Sequence, residues 1–144
     1  MRKIVLSYLL VLCSLVAVAQ TPVRVACIGN SITYGAGIEN RERDAYPVQL
    51  QRMLGEGYVV GNFGKSGATL LNKGHRPYIE QKEFQRALTF AGDVVVIHLG
   101  INDTDPRDWP NYRDYFVRDY LALIDSFRVA NPKARILVAP MTPI

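Results

Sequence analysis

Four short apolar runs punctuate the chain, and between them apolar residues recur at every third or fourth position. The runs cover 23–28, 58–62, 93–99 and 135–139. In the third, Val94, Val95, Val96 and Ile97 follow one another without a polar break. A continuous apolar run of this length is a strand buried on both faces, as in a parallel sheet. The intervening segments read as helices. The first starts near Pro47, where proline suits a first turn; it puts Tyr46, Leu50, Met53 and Leu54 on one face and stops at Gly55. The second covers 79–90, with Phe84, Ala87 and Leu88 inward. The longest covers 110–129, where Phe116, Tyr120, Leu123, Ile124 and Phe127 repeat at helical spacing before Asn131-Pro132 closes it.

Strands alternating with helices predict an α/β fold with right-handed crossovers. The expected architecture is three-layer α/β/α around a flavodoxin-like parallel sheet, of order 2-1-3-4 in the part present. Three loops remain: a polar one through Glu39, Asn40, Arg41 and Asp44, a glycine-rich one over 61–74, and a polar one over 103–108.

The two ends change the picture. Residues 1–19 open with Arg2 and Lys3, run apolar from Ile4 to Val18 and finish on Ala17 and Ala19. That is the pattern of a secretory signal peptide cleaved after Ala19, so the mature protein is expected to be exported, periplasmic or extracellular, without a stable membrane anchor. A transmembrane anchor is the weaker reading, because the run falls short of the ~20 residues a span needs. A lipoprotein reading would use Cys13, but bulky Leu12 stands where a small residue is expected. At the other end the chain stops just after an apolar run, at Ile144. The expectation is therefore one domain, residues 20–144, incomplete at its C-terminus.

Composition narrows the partners. Setting Arg2 and Lys3 aside, 15 of the 17 Lys and Arg remain against 13 Asp and Glu, a formal charge near +2. No Lys/Arg-rich run occurs, so nothing points to nucleic acid. Cys27 is the one cysteine outside the signal segment, which excludes an internal disulfide there and suits a small buried apolar residue.

The chemistry lies where the strands end. Ser31 follows the first strand, Gly67 the second and Asn102 the third, and in a parallel sheet all three loops fall at the same edge. A hydroxyl, a glycine N–H and a carboxamide are the parts of an acyl-transfer site. Ser Oγ attacks a carbonyl once a base takes its proton, and the N–H groups hold the oxyanion. Taken alone, Ser31 would be a helix cap and Asn102 a turn residue. A phosphate-loop reading of Gly64-Lys65-Ser66 fails because Val59 stands where that motif needs glycine.

Three blocks carry a family resemblance: G-N-S-I-T-Y-G at 29–35, N-F-G-K-S-G-A-T at 62–69 and G-I-N-D at 100–103. With their order and spacing, the chain resembles the SGNH hydrolases, or GDSL-type esterases. The resemblance implies Ser31 as nucleophile and Gly67 and Asn102 as oxyanion donors, with no metal or organic cofactor. Asn30 departs from the Asp more usual in the family. The family's fourth signature, D-x-x-H, which supplies its catalytic Asp and His, does not occur in the 144 residues. The chain alone is accordingly expected to be inactive.

A looser likeness, through A-Y-P-V-Q-L, R-P-Y and N-D-T-D-P-R-D-W-P, is to bacterial sialate O-acetylesterases. It implies removal of O-acetyl groups from a carbohydrate, sialic acid first. A lipid or thioester hydrolase and a non-catalytic carbohydrate-binding relative stay open. Asp103 is expected to order its loop by hydrogen bonds. His98 is expected to pack or make a supporting hydrogen bond and His75 to lie in a polar loop; a substitute general base is the alternative for either. Arg76, Arg107 and Trp109 are either surface residues or the lining of a sugar or carboxylate pocket.

Overall fold

The structure, a computed structural model, describes residues 21–141. The expected export signal, 1–19, lies outside the described residues.

Strands β1 (Val23–Gly29), β2 (Tyr58–Gly64), β3 (Val94–His98) and β4 (Arg135–Val138) form one sheet in the order β2-β1-β3-β4. Every pairing is parallel. This is the architecture that the alternation of apolar runs predicts. The helices are α1 (Ser31–Tyr34), α2 (Arg41–Asp44), α3 (Tyr46–Leu54), α4 (Lys82–Phe90), α5 (Trp109–Tyr112) and α6 (Phe116–Ala130).

Side chains alternate across a strand, so β1 separates two faces. Ala26 and Ile28, with Val95 and Ile97 of β3, join Phe84 and Ala87 of α4 and Leu123 and Phe127 of α6 in the main core. The rings of Phe84 and Phe127 meet edge to face with centroids 6.0 Å apart, which fastens α4 to α6. Cys27 points the other way, toward Tyr46 at the start of α3. Helices thus cover both faces of the sheet. Cys27 is fully buried, as its apolar reading expects.

Three expected helices need adjustment. In α3, Met53 is 83% exposed rather than inward. The covered stripe runs through Pro47, Leu50, Gln51 and Leu54, and Met53 sits roughly 100° round from its centre. The second helix begins at Lys82, because extended Gln81 separates it from a 3-10 turn at Tyr78–Glu80. The longest one breaks into α5, a 3-10 turn at Arg113–Tyr115, and α6. Residues 110–115 carry no continuous apolar stripe, so no packing holds that stretch in line with α6. The loop expected after β1 also contains α2, capped by Asn40, whose Oδ1 accepts the Arg43 N–H at 3.1 Å.

Candidate active site

Ser31 is the first residue of α1, two positions beyond the end of β1. Asn30 caps that turn: its Oδ1 accepts the Ile32 N–H at 3.0 Å. Gly64, at the end of β2, presses against the same turn. A Cβ there would collide with the Tyr34 backbone N and lie 2.7 Å from Tyr34 Cα. Asn62 Nδ2 donates to the Thr33 carbonyl at 2.8 Å, and the Lys65 N–H donates to the Gly29 carbonyl at 2.9 Å. The loop carrying Ser31 and the loop carrying Gly67 are therefore fastened together.

Gly67 has φ +76°, a left-handed conformation in which a Cβ is strained, and Arg76 Nη1 lies 3.2 Å from where that Cβ would stand. Asn102 lies in a 3-10 turn, Ile101–Thr104, just beyond β3. Its Nδ2 donates to the Ala68 carbonyl at 2.9 Å. Asp103, fully buried, accepts the Leu70 N–H at 2.9 Å and the Leu71 N–H at 2.7 Å on its two oxygens. It orders the loop as its sequence reading expects. Burial pushes the Asp103 carboxyl above its ordinary pKa, and the two backbone N–H groups pull the other way.

Ser31, Gly67 and Asn102 thus come from three consecutive strand ends at one edge of the sheet. The connections between their loops are hydrogen bonds, not surface contacts. Cys27 is no competing nucleophile: burial raises its thiol pKa to about 11.

The remaining candidates divide. His75 lies exposed in a polar loop, but its ring is held by a partner. Its ring Nδ1 lies 2.6 Å from Asp108 Oδ2, and its backbone N–H donates to Asp108 Oδ1 at 2.9 Å. Asp108 itself is buried. Nothing in the sequence signals this pair, because 33 positions separate its members. His98 ends β3, in register with Gly29 of β1. Arg107 folds back onto Asp105, Nε to Oδ1 at 2.9 Å. Trp109 packs its ring on Phe116 at 5.5 Å. Arg76 stays beside the site and donates from Nη1 to the Ser66 carbonyl at 3.1 Å.

A family model described as the GDSL-like Lipase/Acylhydrolase family matches residues 27–144. An acetylxylan esterase of Xylanibacter ruminicola is 49% identical over 115 residues, 80% of this chain and 24% of that protein. The chain thus spans about a quarter of the length of that curated relative. One solved structure, 25% identical, superposes with a TM-score of 0.63 over 86% of this chain and 65% of its own. AlinE4, a SGNH-hydrolase family esterase, is 20% identical with a TM-score of 0.58, covering 82% of this chain and 58% of its own. At that identity AlinE4 bears on the fold alone, and the fold agrees.

Proposed function

The chain belongs to the GDSL-like lipase/acylhydrolase family, and we propose that it carries the nucleophile of a serine esterase that removes O-acetyl groups from a carbohydrate. Ser31 Oγ attacks the acetyl carbonyl carbon and gives up its proton to a base. The tetrahedral intermediate puts negative charge on the former carbonyl oxygen. The N–H groups of Ser31 and Gly67 and the second N–H of the Asn102 carboxamide donate to it. Collapse expels the sugar oxygen, which takes the proton from the base, and leaves acetyl-Ser31. Water then releases acetate and restores the hydroxyl. In this reading the base is the His of a D-x-x-H motif outside the 144 residues, and the chain by itself turns over no ester.

The observation that carries the reading is the hydrogen bond from Asn102 to the Ala68 carbonyl, which holds the carboxamide beside Gly67. The acetylxylan esterase 49% identical to this chain supports acetylated xylan as the substrate. Sialic acid, the sugar expected from the sequence, is the second reading, favoured by the basic cleft described below. Export through residues 1–19 belongs to the same proposal, since it would bring the enzyme to extracellular glycans.

The test is acetate release from acetylated xylo-oligosaccharides and from O-acetylated sialic acid by the protein that contains this chain, with mass spectrometry of the trapped acyl-enzyme. The expected result is acetate release and an acetyl group on Ser31, both absent in Ser31→Ala. Release that persists in Ser31→Ala ends the assignment of the nucleophile. Cleavage of p-nitrophenyl acetate with no acetylated sugar accepted ends the carbohydrate reading.

A further inference from the structure

A cleft of about 470 Å³ opens on the β2 side of the nucleophile turn. That is within the roughly 300–1,000 Å³ of small-ligand sites. Tyr34, three residues beyond Ser31, forms one wall, and Ser66, which precedes Gly67, forms another. Five cations line it, Arg41, Lys65, Arg76, Lys82 and Arg86, with Glu83 as the lone acid. We propose that this cleft binds the carboxylate of an acidic sugar, so that the acetylated glycan reaching Ser31 is negatively charged. The link to an acetylated glycan rests on the esterase reading above; the anion site itself does not.

Charge distribution is the first argument. The described residues hold 15 Lys and Arg against 13 Asp and Glu, and without the cleft's five and one the rest hold 10 against 12. The excess of positive charge is therefore gathered beside the proposed nucleophile; of the twelve remaining acids Asp103, Asp108 and Asp119 are buried, so the rest of the described surface is close to balanced. A concave site lined by one sign of charge focuses field and concentrates ligands of the opposite sign.

The second argument is that these cations stand where the fold does not want them. Lys82 is the first residue of α4, at the positive end of the helix dipole, and Arg86 follows it at the i+4 position. Like charges at that spacing oppose the helix. Both are exposed, and neither makes an ion pair among the described residues. Arg41 lies 4.1 Å over the Tyr34 ring, and Arg76 spends one N–H on Ser66. Their other donors stay open to a ligand.

Glu83 supplies the third argument and the sugar character. It is only 8% exposed, and its Oε1 lies 3.5 Å from Lys65 Nζ. Glu83 lines the cleft, and its Oε2 is buried with no hydrogen-bond partner among the described residues. A bare acceptor of this kind calls for a donor such as a hydroxyl. A carboxylate in the wall also weighs against phosphate or a polyanion. A ligand with one carboxylate and neighbouring hydroxyls satisfies both halves of the cleft.

The experiment is calorimetric titration of the full chain with xylotetraose bearing one glucuronic acid, unsubstituted xylotetraose and free N-acetylneuraminic acid. At low salt at least one acidic sugar should bind about tenfold or more tighter than the neutral one. The preference should fall below about threefold near 1 M NaCl, where screening acts over ~3 Å. The double variant Lys82→Gln/Arg86→Gln should lose most of the preference, with its thermal unfolding unchanged or raised. Arg86→Glu, alone, lowers the cleft charge by the same two units and should also lose most of the preference if the double variant folds poorly.

Which acidic sugar binds identifies the source of the carboxylate, and either supports the site. Equal binding of acidic and neutral sugars, or a preference that survives these variants, overturns it. Ser31-dependent acetate release from a neutral acetylated sugar, with no acidic preference, would leave the esterase reading intact and remove only this inference. An acidic preference with no acetate release by the protein that contains this chain would do the reverse.

Discussion

One N–H of the Asn102 carboxamide is spent on the Ala68 carbonyl at 2.9 Å, while the other is left over. Ala68 follows Gly67 directly, so the same bond sets the carboxamide and the glycine N–H relative to each other. Asn at this position therefore does two things at once: it anchors the second loop to the third and keeps a donor in hand.

Truncating it separates the two. Asn102→Ala in the active enzyme is expected to lower kcat by about 10²–10³, the usual effect of losing one oxyanion donor. KM should change little, because the donor acts on charge that develops after binding. Asn102→Asp should lose as much activity and more stability, since an ionised carboxylate would face the Ala68 oxygen. Steady-state kinetics on an acetylated oligosaccharide would decide. A lowered melting temperature with kcat intact would make Asn102 an anchor and nothing more.

The neighbouring Asp103 has a structural task that can be measured apart from catalysis. Its two oxygens satisfy the Leu70 and Leu71 N–H groups inside the protein. Asp103→Ala should cost about 1–3 kcal/mol for each N–H left bare. Asp103→Asn keeps one acceptor and turns an NH2 toward the other N–H, so it should recover only part of the loss. Hydrogen exchange at Leu70 and Leu71 should accelerate first. Unchanged protection there would mean that other groups hold the loop.

The strand order was legible because the unbroken apolar run from Val94 to Ile97 reads as a parallel strand, although Val94 and Val96 are only half-buried, and parallel strands joined by right-handed crossovers leave few orders. The edge carrying Ser31, Gly67 and Asn102 followed from that topology. Other features were hidden for physical reasons. The α1 turn is four residues long, held by the Asn30 cap and by Gly64 against its backbone, and too short for any periodicity. The His75–Asp108 pair and the basic cleft join residues from separate segments. The absence of a Lys/Arg-rich run says nothing about cations that the fold gathers from positions 41, 65, 76, 82 and 86.

Two glycines near the site should differ in cost, and the order is a test of the packing. At Gly64 an added Cβ meets Tyr34 backbone, which cannot swing aside without moving the turn that carries Ser31. Gly64→Ala should be destabilising by about 1–3 kcal/mol, as other overpacked sites are, and should lower kcat as well. At Gly67 the neighbour is the far end of Arg76, which can move, and the cost is the positive φ, about 1–2 kcal/mol. Gly57 has open space around it, and Gly57→Ala is the control, expected to be near neutral. Denaturant unfolding of the three variants gives the order directly; a Gly64 variant as stable as the control would contradict the close approach of β2 and α1.

Acid should loosen the opposite end of the sheet first. Asp93 Oδ2 accepts the Arg24 backbone N–H at 2.8 Å, and Oδ1 lies 3.3 Å from Arg24 Nη2 and 3.2 Å from Asn131 Nδ2. One carboxylate thus joins the starts of β1 and β3 to the residue that ends α6. The Arg24 N–H, then its guanidinium, hold the Asp93 carboxyl below the usual carboxylate range. A depressed folded-state pKa means that the unfolded chain binds the proton first. The stabilisation is therefore complete above the unfolded value, ~3.9, and is lost as pH falls through the folded one. The Arg24 and Asp93 side chains are 43% and 42% exposed, so solvent screens the ion pair. Its worth should stay within about 1 kcal/mol. Asp93→Asn should accordingly be less stable than the unsubstituted chain at pH 6 and approach it as the pH is lowered toward about 3. A stability gap between the two that stays constant over that range would show that the Asp93 charge contributes nothing and that only its shape matters.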